Sequence, residues 1–146
     1  MKVAIGADHR GYKLKNYLSN YLKSMGIDVI DLGTNGVDSV DYPDFAISVG
    51  EKVSKGEADL GVLICKTGIG MCIAANKVKG VRAAHVCSEK MAKLSRSHND
   101  ANVICLPGEL LEFEKAKEFL RIFLETPFEG GRHSKRIKKI EEYERS

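Results

Sequence analysis

The stretch VLICKTGIG, Val62 to Gly70, decides how the chain is read. Its first half is an unbroken apolar run, which fits a strand buried on both faces rather than one with a wet side. It ends on a cysteine, and a glycine-containing turn follows at once. Cys65 is therefore either the last residue of a core strand or a thiol held at the mouth of a site.

Outward from that run, strand and helix patterns alternate. Lys2 to Gly6, Asp28 to Leu32, Leu60 to Cys65, Val81 to Val86 and Asn102 to Leu106 are short, rich in β-branched residues and bounded by Gly, Asp or Asn, so five buried strands are expected. Helical spacing fills the intervals at Tyr12 to Met25, Asp44 to Lys55, Ile69 to Val78, Ser88 to Ser97 and Leu111 to Glu125. Gly26 is placed to stop the first helix and Ser88 to cap the fourth. A charged stretch, Lys135 to Arg145, reads as a terminal helix. The alternation predicts a three-layer α/β/α, Rossmann-like fold with a five-stranded parallel sheet, and residues 1–146 read as a single domain.

Composition narrows the function. The 146 residues are 43% hydrophobic, enough for one ordinary core, and the net charge of +3 is too small to indicate a nucleic-acid or membrane surface. A small anion is the better partner. The N-terminal MKVAIGADHR is too short in apolar residues for a signal peptide, and no segment approaches the ~20 apolar residues of a spanning helix. Cys65, Cys72, Cys87 and Cys105 include no C-x-x-C pair and lie in or beside apolar runs. They read as reduced thiols of a cytoplasmic protein, with neither a disulfide framework nor a cysteine zinc site.

In an open parallel sheet, ligands sit outside the carboxyl ends of the strands where strand order reverses. If the first and third strands are neighbours, Ala7 to Gly11 meets Cys65 to Gly70 there. The second loop also opens a helix, whose first N–H groups and dipole favour an anion, a developing oxyanion or a thiolate. Bland rivals exist at each position. A cysteine ending a strand is more often a small buried hydrophobe, which is the reading kept for Cys72, Cys87 and Cys105. Asp8 and His9 could cap a helix, His85 suits a core or an interface, and Ser95 to Asp100 could be a polar turn. In Gly130 to Arg136, two glycines precede a helix start, and Arg132 and Arg136 stand four apart on one face, an arrangement suited to phosphate.

Three familiar loops are excluded. A C-x5-R phosphatase loop needs arginine where Met71 stands, a dinucleotide fingerprint needs glycine where Ile73 stands, and the Gly-Lys-Ser/Thr ending of a Walker loop is missing. A thiol, anion-holding amides, the Thr67 hydroxyl, histidines and an arginine pair remain. They suit general acid–base chemistry on a phosphorylated small molecule.

The same residues carry a resemblance. Gly6 to His9 (GADH), Asp41 to Asp44 (DYPD), Cys65 to Gly70 (CKTGIG), Ala74 to Lys77 (AANK), Ser95 to Asn102 (SRSHNDAN) and Glu129 to His133 (EGGRH) resemble, in order over essentially the whole chain, the type B ribose-5-phosphate isomerases. The resemblance implies interconversion of ribose 5-phosphate and ribulose 5-phosphate through an enediolate, with no metal or cofactor, in a homodimer or a tetramer of such dimers. It implies that His98 opens the sugar ring, Cys65 is the base at C2 and Thr67 assists proton movement. Asp8 and Asn99 would hold sugar hydroxyls, Tyr42 would wall the sugar, and His9, Arg132 and Arg136 would hold phosphate. The amides of Lys66, Thr67, Gly68, Ile69 and Gly70 would face the enediolate oxygen, where one lost donor costs ~3 kcal/mol.

Two residues depart from the family pattern. Lys66 replaces a glycine, which would either compensate charge or strain the turn, and Glu109 stands where an arginine commonly reaches for phosphate. They leave open isomerisation of a six-carbon aldose phosphate, such as allose or galactose 6-phosphate, or a noncatalytic sugar-phosphate binding module. Topology adds an expectation of its own. Asp8 and Cys65 end strands, whereas His98 and Asn99 precede one, and a strand spans ~17 Å. Proton transfer needs ~3 Å or one bridging water, so the site should be shared between subunits.

Overall fold

The computed structural model describes all 146 residues. The elements in chain order are β1 (Lys2–Ala7), α1 (Tyr12–Ser24), β2 (Asp28–Asp31), α2 (Tyr42–Ser54), β3 (Leu60–Cys65), α3 (Ile69–Ala75), β4 (Ala83–His85), α4 (Glu89–Ser97), β5 (Val103–Pro107), α5 (Phe113–Glu125) and α6 (Arg132–Arg145). All strand pairs are parallel, in the order β2-β1-β3-β5-β4. Strand order reverses between β1 and β3, so the condition under which Ala7 to Gly11 and Cys65 to Gly70 come together is met.

Side-chain alternation along the strands divides the core in two. Val3, Ile5, Val62, Ile64, Ile104 and Leu106 face Leu14, Leu18 and Leu22 of α1 and Phe119, Leu120 and Phe123 of α5. Ala4, Leu63, Cys65, Val103 and Cys105 face Ala46 and Val49 of α2 and Met71 and Ala75 of α3. The result is a three-layer α/β/α, Rossmann-like fold.

Local signals explain most boundaries. Gly26 at φ +77° ends α1, with its N–H bonded to the Lys23 carbonyl and that of Ile27 to Leu22, the paired bonds of a Schellman stop. Ser88 caps α4 by accepting from the Met91 N–H at 3.1 Å. Other boundaries differ from expectation. α2 begins at Tyr42 rather than Asp44, because Pro43 fits a first helical turn, and α6 begins at Arg132 rather than Lys135, directly after two positive-φ glycines. Only β1, β3 and β5 are buried as strands. β2 and β4 are half-exposed, since each edge strand lacks an outer neighbour.

Candidate active site

Cys65 is the last residue of a core strand, and the turn that follows it folds back onto its sulfur. It is 5% exposed and belongs to the core beneath α2 and α3, yet its Sγ accepts the Gly68 N–H at 3.2 Å. The turn that folds this amide back needs Gly68 at φ +79°, where a Cβ would also come within 3.0 Å of the Leu106 backbone. Thr67 Oγ1 accepts from the Ile69 N–H at 3.2 Å. Two of the five amides expected to face an oxyanion are thus engaged within the loop, and one of them serves the thiol itself.

Neighbouring segments hold the loop. The N–H groups of Gly108 and Glu109 donate to the carbonyls of Cys65 and Lys66, zipping the turn after β5 onto the turn after β3. His85 Nε2 lies 2.8 Å from the Thr67 carbonyl oxygen, so it carries the proton in that bond. The reading of His85 as a core or interface residue missed this support, because β5 separates β4 from β3 in the sheet and only the folded chain shows the side chain crossing. Tyr42 lies over Gly70, where an added Cβ would meet its ring at 2.6 Å. Lys66 points to solvent without a left-handed backbone, which removes strain as the consequence of its replacing glycine.

On the adjoining loop, Asp8 is buried and its Oδ1 accepts from the Arg10 N–H at 2.9 Å. The cap position of α1 belongs to Gly11, so Asp8 and His9 are not its cap. His9 Nδ1 accepts from the Val40 N–H at 3.2 Å, leaving the proton on Nε2, a donor available to an anion. His9, Arg10, Lys13, Gly108 and Glu109 line a cleft of about 520 Å³. Arg10 Nη1 pairs there with Glu109 Oε1 at 2.9 Å, so the acidic departure carries its own counter-charge.

His98 and Asn99 lie at the other end of the sheet. Gly61 pairs with Val103 and Cys65 with Pro107, so β5 alone separates the two ends by about 13 Å, four residue steps of ~3.3 Å. His98 closes α4, and Asp100 turns the chain at φ +48°, a conformation Asp tolerates. Its carboxylate is gripped by Arg96 at 3.1 Å and Arg82 at 3.3 Å. Asn99 lines a second cavity of about 440 Å³, with Arg82, Ile137 and Ile140. Neither cavity includes Cys65.

The Glu129 N–H donates to the Ser97 carbonyl at 3.0 Å, tying the start of α6 to the end of α4. His133 consequently stacks on His98, with centroids 4.2 Å apart and planes 17° apart. Burial first, then the charges of His98 and Arg132, hold His133 below the ordinary histidine range. Arg132 and Arg136 are exposed on this same helix, so they belong with His98 and not with Cys65. His133 had no assigned role in the sequence reading. Its available signal was the pairing with Ile137, four residues on, as the buried stripe of an otherwise charged helix.

The remaining cysteines correct one expectation. Cys105 is fully buried and its thiol is pushed up, but Cys87 is exposed and Cys72 only half-buried. The neighbouring Cys105 thiol brings Cys72 down to about 7. Cys87 follows β4 as the chain leaves the sheet at an edge, so nothing covers it.

The profile of the ribose/galactose isomerase family matches residues 3–140. A ribose-5-phosphate isomerase B of Escherichia coli is 45% identical over 140 residues, covering 95% of this chain and 93% of that protein. The structure of ribose-5-phosphate isomerase B from Clostridium thermocellum is 48% identical with a TM-score of 0.98, covering 99% of this chain and 98% of that one. The Mycoplasma genitalium enzyme, solved with bound ribulose-5-phosphate, is 49% identical with a TM-score of 0.97, covering 99% and 97%.

Proposed function

This chain belongs to the ribose/galactose isomerase family, and from that premise we propose that it interconverts ribose 5-phosphate and ribulose 5-phosphate. The observation that carries the reading is the Gly68 N–H held on Cys65 Sγ. A donor aimed at the sulfur fixes it at the carboxyl end of β3, where the proposed reaction needs a base.

The chemistry proceeds in two stages. His98 takes the proton from the anomeric hydroxyl and passes it to the ring oxygen, opening the furanose. Cys65 thiolate then removes the proton at C2, leaving an enediolate, and returns a proton at C1 to give the ketose. Thr67 moves protons between the two oxygens, and the Lys66 to Gly70 loop holds the developing charge through the amides it has free. Asp8 and Asn99 hold hydroxyls, Tyr42 walls the sugar, and His9, Arg132 and Arg136 hold phosphate. No cofactor takes part.

Residues 1–146 act as a single sugar-phosphate isomerase domain in a homodimer with shared sites, as a dimer or a tetramer of dimers. The separation of Cys65 from His98 supports sharing, because a twofold axis can lay the His98 end of one chain over the Cys65 end of its partner. Arg132 and Arg136 then come from the chain that supplies His98. No helix is long and apolar enough to cross a membrane, which suits a cytoplasmic enzyme of pentose phosphate metabolism.

The test is isomerisation in deuterated water with ribose 5-phosphate, allose 6-phosphate and galactose 6-phosphate in parallel. Deuterium entering ribose 5-phosphate at C2, or its ketose at C1, is the expected result. Turnover of a six-carbon sugar alone would reassign the substrate, and binding without exchange would make the chain a sugar-phosphate binding module.

A further inference from the structure

The three side chains that meet at the end of α4 do not satisfy one another. His98 Nε2 and Glu129 Oε2 are 3.7 Å apart, beyond hydrogen-bond range, and His133 Nε2 is buried with no partner although the residue is only 5% exposed. A buried polar atom left in that state requires an explanation, and an ion is one. Ligand atoms from His98, Glu129 and His133 all lie within 4.8 Å of one another.

We propose that His98, Glu129 and His133 form a binding site for a divalent transition metal of the zinc class, and that its occupation inhibits the enzyme. Two imidazoles and one carboxylate are a recognised zinc donor set with a fourth position open to water. A zinc ion bonded at about 2.1 Å in tetrahedral geometry needs its ligand atoms about 3.4 Å apart, so the widest spacing in the cluster must close by up to about 1.4 Å. The movement is available. The side chains of His98 and Glu129 are 36% and 56% exposed, and only His133 is fixed by its surroundings. The His98 ring, now stacked on His133 with planes 17° apart, has to turn so that both ring nitrogens meet the ion, and its exposed position leaves room for that turn. No cysteine is needed, so the lack of a C-x-x-C pair does not bear on the site.

Inhibition follows from the identity of one ligand. A metal bonded to a ring nitrogen of His98 takes the lone pair assigned to proton transfer during ring opening. This half of the inference rests on the isomerase reading; the binding half does not.

The experiment uses the full chain with its thiols reduced. Cobalt(II) should bind once per chain, giving visible d–d bands without an intense thiolate-to-cobalt band, because two nitrogens and an oxygen supply the ligands. Affinity should fall at least ~10-fold in His133→Phe, which preserves the stacked aromatic, and in Glu129→Gln, while Cys65→Ser leaves it unchanged. Zinc should stop isomerisation of the wild type, a chelator should restore it, and His133→Phe should continue at the same zinc concentration. Unchanged cobalt affinity in both variants, or a thiolate band that disappears in Cys65→Ser, would overturn the site. Binding without loss of activity would overturn the inhibitory role. Absence of turnover in metal-free wild type would instead refute the isomerase reading, while the cobalt spectra still decide the site.

Discussion

The two ends of the sheet are built by different means. At the carboxyl end, backbone places the chemistry: Cys65 is the last residue of a buried strand, an amide hydrogen bond reaches its sulfur, and the turn after β5 is zipped to its loop. At the amino end, side chains do the placing. His98 closes a helix whose exit is clamped by Arg82 and Arg96 on Asp100, and it stacks on a histidine from another helix. A group proposed to act as a base gains from a rigid seat that fixes the direction of its sulfur. Groups proposed to open a ring and grip a phosphate gain from reach, which exposed helix termini supply. In the proposed mechanism the two ends carry complementary halves of one reaction, and the length of β5 keeps them apart within one chain.

The sharpest way to break this contrast is to remove the base. Cys65→Ala should lower kcat by ~10³-fold or more while substrate still binds, in line with the loss of a general base, and steady-state kinetics on enzyme freed of host isomerase would show it. Retention of most activity would mean that the carboxyl end does not supply the base. Cys72→Ala, in contrast, should alter stability more than kcat.

A second measurement joins the two ends. Cys65→Ala and His98→Ala, each inactive, are mixed under conditions that exchange subunits. A shared site predicts recovery of about a quarter of wild-type activity at equal mixing, since half the dimers are mixed and each has one intact site of two. No recovery despite verified exchange would put both halves of the site in one chain.

Charge in the His9 cleft should have a smaller effect. Glu109→Arg should reduce KM for the phosphorylated sugar severalfold with little change in kcat, because the added binding is common to ground and transition states. Arg10→Ala should raise KM, since it leaves Glu109 facing the dianion without its partner. Unchanged KM in both variants would show that this cleft does not receive the phosphate.

The smallest effect is on stability at the amino end. His133 has a folded pKa below its unfolded value, so below an unfolded pKa of about 6.5 the unfolded chain binds a proton that the folded chain resists. The stability linked to this group is therefore complete above that pH and is lost as pH falls from it toward the depressed folded value. In His133→Gln, chemical denaturation across this window should show a shallower loss than in wild type. An equal slope would mean that His133 is free to charge in the folded protein.

The alternation around VLICKTGIG was enough to specify a parallel sheet and to place Cys65 and Asp8 at its carboxyl edge, because burial on both faces and glycine turns are local properties written in residue order. Local pattern also located the Gly26 stop of α1, the Ser88 cap of α4 and the separation of His98 from Cys65 along the strand direction. Only the tertiary structure decided which amide reaches the sulfur, that His85 supports the Thr67 loop from beyond β5, that Arg10 answers Glu109, and that His133 lies beneath His98. These contacts join residues from 3 to 99 positions apart, and they depend on turn angles and side-chain directions. Hydrophobic periodicity records which face is buried, but it carries no information on which polar atom across that face will be within 3 or 4 Å of another.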